Sequence, residues 1–229
     1  MEERAALPIA LIFDMDGTLF QTDKILEISL QDTFDYLKSL GEWSGAAPIG
    51  KYREIMGVPL PVVWKALLPD HTDGIRHKAN DHFHVQLIAN IAGGRGALYP
   101  HVIEIFDRLK QAGGPIFIAS NGQVEYLNAI VSYYKLDAWI TETFSIQHIP
   151  SQDKGDLVGH ILKKHDIEQA AVVGDRLSDN AAKKNGLMAV GCRFDFAQED
   201  ELKQADAVID DLLELAELFD LQPFGPHRR

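Results

Sequence analysis

Cysteine is nearly absent from this chain: Cys192 is the single one among 229 residues. That excludes an intrachain disulfide and any metal cluster built on thiolates. Cys192 closes the apolar run Leu187-Met-Ala-Val-Gly-Cys192, where a small thiol reads as a buried strand residue. Basic charge is in deficit too. Lys and Arg total 22 against 34 Asp and Glu, a formal net charge of −12, and the bases gather into no patch. Such a surface argues against nucleic acid and against anionic membranes as partners. No apolar stretch approaches the ~20 residues of a membrane span. The opening Met1-Glu-Glu-Arg-Ala-Ala-Leu-Pro8 lacks the apolar centre of a secretory signal, so cytoplasmic localisation is expected. Internal repeats and low-complexity tracts are missing. What remains, 46% hydrophobic and 24% charged residues, is the make-up of an ordinary globular chain, long enough for one large domain or two modest ones.

One stretch carries an electrostatic problem. Ile9-Ala-Leu-Ile-Phe-Asp14-Met-Asp16-Gly17-Thr18-Leu19-Phe20 is an apolar run that ends sharply in acid, the pattern of a buried strand stopping at a site. Two carboxylates two residues apart repel each other and call for something positive, such as a metal ion and an anionic ligand with its own counter-charges. Gly17 and Thr18 break the strand into a tight loop whose N–H groups can face an anion.

Downstream, residues from about Asp23 to Gly94 read as helical. Leu26, Leu30, Phe34 and Leu37 recur at helical spacing and predict one long amphipathic helix ending near Gly41. A loop with Gly45, Pro48 and Gly50 follows, then a helix over Val62 to Leu68, and a third from about Thr72 to Ile91 stopped by Gly93-Gly94. From Tyr99 onward, helices alternate with short apolar runs. The predicted strands are Pro115–Ala119, Ala138–Thr141, Ala170–Val173, Met188–Cys192 and Ala207–Ile209, with helices over Val124–Tyr134, Lys154–His165 and Asp211–Phe219 among those between. Strands and helices alternating at this spacing predict a doubly wound parallel sheet of the α/β class. The expected domains are a core of residues 1–21 and 95–229 and an all-helical cap of residues 22–94.

In an open parallel sheet, ligands sit beyond the carboxyl ends of the strands. Asp14 and Asp16, Ser120 and Asn121, and Asp175 with Asp179 all follow predicted strands, and Lys154 opens a helix. Several acids with a hydroxyl and an ammonium suit a divalent cation plus a phosphate. These residues resemble the four motifs of the haloacid dehalogenase-like hydrolase superfamily, in order along nearly the whole chain. Asp14-Met-Asp-Gly-Thr-Leu-Phe20 resembles the first, Ser120-Asn121-Gly122 the second, Lys154 the third, and Gly174-Asp175-Arg-Leu-Ser-Asp179 the fourth. The insert between the first two resembles the cap of the phosphoglycolate-phosphatase-like branch. The third motif departs from pattern: Lys154-Gly155 stands where the family usually has Lys-Pro.

The resemblance implies a Rossmann-like core and a Mg²⁺-dependent phosphatase acting on a small phosphorylated metabolite through an aspartyl-phosphate. Asp14 would be the nucleophile, and Asp16 the acid and then the base. Asp14, the Asp16 carbonyl and Asp175, with Asp179 nearby, would hold Mg²⁺. Thr18, Ser120, Asn121 and Lys154 would hold the phosphoryl group. The second acid, Asp16, speaks against a dehalogenase or a phosphonate hydrolase of the same superfamily. A phosphomutase of the β-phosphoglucomutase kind and a silent binding protein remain as alternatives. In the insert, Lys51 and Arg53 are candidate specificity residues. His71, His77, His82 and His84 lack the spacing of a helical metal pair and read as a solvated face.

Overall fold

A computed structural model of the chain describes residues 9–55, 60–176 and 181–221. They divide into two compact units. One is Thr22–Ala97, and the other is the chain up to Gln21 joined with the chain from Leu98 onward.

The second of these is built on six parallel strands: β1 (Ala10–Phe13), β2 (Ile116–Ser120), β3 (Glu142–Ser145), β4 (Ala170–Gly174), β5 (Met188–Cys192) and β6 (Ala207–Ile209), in the order β3-β2-β1-β4-β5-β6. All pairs are parallel. The doubly wound sheet read from the sequence is therefore present. A strand with neighbours on both edges and helices on both faces must be apolar throughout, and every residue of β1 is buried. Ala10 and Ile12 join the cluster that contains Leu157, Val158 and Ile161 of α7 (Lys154–Lys164) and Ala181 and Ala182 of α8 (Ala181–Lys184). Phe13 meets Phe106 of α5 (Val102–Gln111) with ring centroids 5.3 Å apart. Each such large side chain taken out of water contributes ~1.5–3 kcal/mol. The chain order reverses on either side of β1. Phe13 is paired with Ile118 and with Val173, so Asp14, Ser120 and Asp175 leave the sheet at nearly one level. That is the switch point where an open α/β sheet has its crevice.

Three predicted elements differ. The apolar run Ala138–Thr141 is not a strand: Leu136–Ala138 is a 3-10 turn entered through Lys135 at φ 55°, and β3 begins at Glu142. Trp139 spends its indole N–H on Asp107 at 2.6 Å instead of on a sheet face. The closing helix is shorter than predicted, Glu214–Leu218, because the Glu214 carboxylate accepts the Asp210 and Asp211 N–H groups as a turn. The third difference lies in the helical unit.

That unit contains α1 (Asp23–Ser39), α2 (Ile49–Glu54), α3 (Leu60–Leu67) and α4 (Asp73–Ala92), and no strand among its described residues. Gly45, Pro48 and Gly50 predict a loop where α2 stands, yet Pro48 is its N-cap, where a missing N–H costs nothing. Phe83 anchors the interior between Tyr52 and Trp64, at centroid distances of 6.4 and 5.5 Å. Asn90 donates to the Ser29 hydroxyl at 2.8 Å, tying α4 to α1.

Candidate active site

The Asp14 backbone still belongs to the sheet, its N–H donating to the Val173 carbonyl at 2.9 Å. Its side chain stands just past the strand end. Oδ1 accepts the Met15 N–H at 2.7 Å, and Oδ2 accepts the Lys154 ammonium at 2.5 Å. Asp14 is 8% exposed and Lys154 5%. Burying such a pair costs desolvation that only close geometry repays. The loop then folds back on itself, with the Leu19 and Phe20 N–H groups both donating to the Met15 carbonyl at 3.0 and 2.9 Å. Gly17 sits at φ +73°, and a Cβ there would lie 2.4 Å from Asp175 Oδ2. Thr18, fully buried, donates its hydroxyl to Asp175 Oδ1 at 3.3 Å. Both oxygens of Asp175 therefore lie against this loop, brought there by β4 from 157 residues away. Asp179 lies outside the described residues.

At the end of β2, the buried Ser120 hydroxyl accepts the Gly122 N–H at 3.0 Å, and Asn121 is exposed. The Ser145 hydroxyl of β3 donates to the Gly122 carbonyl at 2.6 Å. The helix α6 (Val124–Tyr134) carries Tyr126, whose hydroxyl donates to Asp16 Oδ1 at 2.6 Å. Tyr126 was not singled out in the sequence. The only available sign was a polar-tipped aromatic in the first turn of the helix after Ser120-Asn121-Gly122.

Lys154 is the first residue of α7, where Asp153 is the N-cap and accepts the Asp156 N–H at 3.0 Å. Gly155, in the place where a proline was expected, leaves room for a side chain from α8. A Cβ on Gly155 would lie 2.5 Å from Lys184 Cδ. The Lys184 ammonium crosses there to Asp153 at 3.0 Å and Asp156 at 2.7 Å. Its hydrogen bonds are the leading cause that holds both carboxyls below their ordinary range, and they raise Lys184 in turn. Asn185 adds a bond to the Gly155 carbonyl at 2.9 Å. The start of α7 is thus clasped from α8. Neither Lys184 nor Asn185 had been given a role in the sequence.

In the helical unit, Arg53 forms a two-pronged pair with Glu27, whose carboxyl it holds below its ordinary range, and Lys51 donates to the Ala66 carbonyl at 2.5 Å. The histidines do not form one solvated face. His77 is exposed, but His71, His82 and His84 are half-buried. His82 stacks parallel on Tyr36 at 4.2 Å, and His71 lies 6.1 Å from the Trp43 ring. In the core unit, Arg176 pairs with Glu201 at 3.1 Å.

The side chains this edge offers a cation are oxygen donors, the buried Asp14 and Asp175 carboxylates. Hard oxygen donors are what Mg²⁺ takes, with waters completing its shell. Among the described residues no three His, Cys, Asp or Glu side chains converge as a ready metal cage. Two carboxylates at one strand edge fit such an ion, and Gly17 lets one of them, Asp175, pack directly against the first loop.

Comparison with known proteins gives the family of the chain. The chain matches the haloacid dehalogenase-like hydrolases over residues 10–185. It is 28% identical to the phosphoglycolate phosphatase of Agrobacterium fabrum, across 94% of this chain and 93% of that one. It is 27% identical to protein CbbY of Rhodobacter capsulatus, across 89% and 93%. Among solved structures, a predicted phosphoglycolate phosphatase from Haemophilus somnus shares the fold with a TM-score of 0.78 at 19% identity, covering 91% of this chain and 96% of that one.

Proposed function

The chain belongs to the haloacid dehalogenase-like hydrolases, and within that family we propose that it is a Mg²⁺-dependent phosphatase of a small phosphorylated metabolite. The observation that carries this reading is the buried contact of Lys154 with Asp14, beside Asp175 at the carboxyl edge of the central strand. A carboxylate with its own ammonium, next to a second acid, is an arrangement for a nucleophile that must meet an anion. The phosphatase and CbbY relatives support the same class.

An Asp14 oxygen attacks phosphorus, and the bond from phosphorus to the ester oxygen breaks. The Met15 N–H and Lys154 orient the attacking carboxylate. Asp16 gives its proton to the departing ester oxygen. It then takes a proton from the water that attacks the phosphorus of the Asp14 acyl phosphate, and that second displacement returns Asp14 and frees inorganic phosphate. Lys154, Ser120 and the Asn121 N–H hold the phosphoryl oxygens, and Thr18 keeps Asp175 in place. Asp14, Asp175 and the Asp16 carbonyl would hold Mg²⁺, which when bound screens the repulsion between nucleophile and phosphate. Lys51 and Arg53 are engaged inside the helical unit, with the Ala66 carbonyl and with Glu27.

The test is phosphate release from a panel of sugar phosphates, phosphoglycolate, nucleotides and pyrophosphate, with and without Mg²⁺. Metal-dependent release without an isomerised product is expected, and it separates a phosphatase from a mutase. No release from any ester in Mg²⁺ would overturn the reading. Asp14→Asn should abolish release while the thermal transition is retained; residual turnover near wild type would remove Asp14 as nucleophile.

A further inference from the structure

We propose that Tyr126 is a positioning residue for Asp16, holding its carboxyl in the plane from which it hands a proton to the ester oxygen. This rests on the acid role of Asp16 proposed above. Tyr126 is 4% exposed, so its hydroxyl is carried on a ring fixed by the interior, and it donates to Asp16 Oδ1 at 2.6 Å. Asp16 is itself half-buried in a loop. A side chain on a loop has rotamer freedom, and one anchored oxygen removes most of it.

The ring is seated as well as buried. A Cβ on Gly122 would come within 3.0 Å of Tyr126 Cδ1 and 3.1 Å of Leu127 Cδ2. The glycine of the Ser120-Asn121-Gly122 turn therefore lets the ring lie on the turn's backbone. That backbone is pinned in two directions, through its N–H to Ser120 and through its carbonyl from Ser145. Asp16 is thus referred to a frame that also contains Ser120, the hydroxyl proposed for the phosphoryl group. Acid and phosphate site keep one geometry because the same turn sets both. Misplacing a reacting group by about 1 Å can cost ~100-fold in rate.

Proton donation matters in proportion to how poor the leaving group is. An alkyl alcohol departs badly without a proton, whereas nitrophenolate departs as an anion. The ratio kcat/KM covers the steps up to departure of the leaving group, and so isolates the acid function from the later attack by water. The experiment measures kcat/KM of wild type, Tyr126→Phe, Gly122→Ala and Asp16→Asn on glycerol phosphate and on para-nitrophenyl phosphate, with thermal transitions recorded for each.

Tyr126→Phe keeps the ring and removes only the hydroxyl. It should lower kcat/KM on glycerol phosphate roughly 10- to 100-fold and on the nitrophenyl ester less than about 3-fold, with the thermal transition nearly unmoved. Gly122→Ala, which displaces the ring, should show the same bias. Equal losses on both esters would mean that the ring merely packs, and would overturn the proposal. So would a Tyr126→Phe enzyme unchanged on both. Asp16→Asn separates the two levels. If it discriminates strongly between the esters and Tyr126→Phe does not, Tyr126 loses its role while the acid role of Asp16 stands. If Asp16→Asn shows no discrimination, the acid role itself fails and the proposal falls with it.

Discussion

Gly17→Ala and Gly186→Ala form a matched pair within the core unit, differing in what a methyl group would meet. Both glycines hold left-handed backbone, at φ +73° and φ +68°. For an alanine that conformation costs ~1–2 kcal/mol, partly offset by the stiffer unfolded chain. At Gly186 nothing lies within 4 Å of the new Cβ. At Gly17 it would sit 2.4 Å from Asp175 Oδ2, 2.8 Å from its Cγ and 2.9 Å from Phe196 Cδ2. Asp175 is 2% exposed and cannot swing into solvent cheaply. Relieving that overlap by shifting buried groups costs a further ~1–3 kcal/mol. At roughly 2–4 °C per kcal/mol for a chain of this size, Gly17→Ala should melt about 2–12 °C below Gly186→Ala. Differential scanning calorimetry on both, with turnover in Mg²⁺, is the assay. Gly17→Ala should also lose on the order of 100-fold in turnover, since Asp175 moves with the methyl, while Gly186→Ala stays near wild type. Equal melting temperatures, or full activity in Gly17→Ala, would refute the contact between Asp175 and the first loop.

Other predictions concern Lys154 and its surroundings, the helical unit and the metal. Lys154→Met removes the ammonium from Asp14 and should lower kcat/KM by about 10²–10³; a loss under tenfold would deny it the phosphoryl group. Lys184→Met should weaken inhibition by inorganic phosphate by up to ~5-fold, the share of an exposed pair, with kcat little changed; unchanged inhibition would make the clasp on α7 irrelevant to the site. His82 is held below its ordinary value of 6.5 chiefly by burial, with Asp32 pulling the other way. The unfolded chain therefore binds this proton more readily, and stability should fall as pH drops below about 6.5 and through the lower folded value. His82→Gln should flatten that slope in denaturation curves between neutral and mildly acid pH, and an unaltered slope would contradict the burial of the ring. Removal of Mg²⁺ by chelation should abolish phosphate release, and re-addition should restore it.

The sheet was legible because β1 is buried on both faces and therefore apolar at every position, with acids beginning where the burial ends. Asp14, Asp16 and Asp175 follow strand ends and Lys154 opens a helix, and topology alone brings these to one edge. The misplaced third strand has a different cause. β3 is an edge strand with a half-buried start, and its Glu-Thr-Phe-Ser sequence is less apolar than the Ala-Trp-Ile-Thr run before it. Periodicity follows burial, and there burial and strand do not coincide. The helix α2 was hidden by Gly50, a weak helix former that tertiary packing overrides. The pairing of Tyr126 with Asp16 spans 110 residues and leaves no local pattern. Lys184 was equally invisible, since its partners on α7 are known only once Gly155 is seen to be covered. The half-buried histidines of α4 leave no mark in the sequence, because a polar imidazole ring suits a solvated face and a stacked one equally.

The central claim is that Asp14 carries the phosphoryl group during turnover. Asp16→Asn, given para-nitrophenyl phosphate in Mg²⁺, can still expel nitrophenolate without a proton but lacks the base for the second step. Acid quenching followed by borohydride reduction converts an aspartyl phosphate to homoserine, which mass spectrometry of the peptide spanning Asp14 detects. Homoserine at position 14, growing with the burst of nitrophenolate, is the predicted result. Nitrophenolate release with aspartate intact at position 14 would contradict the account.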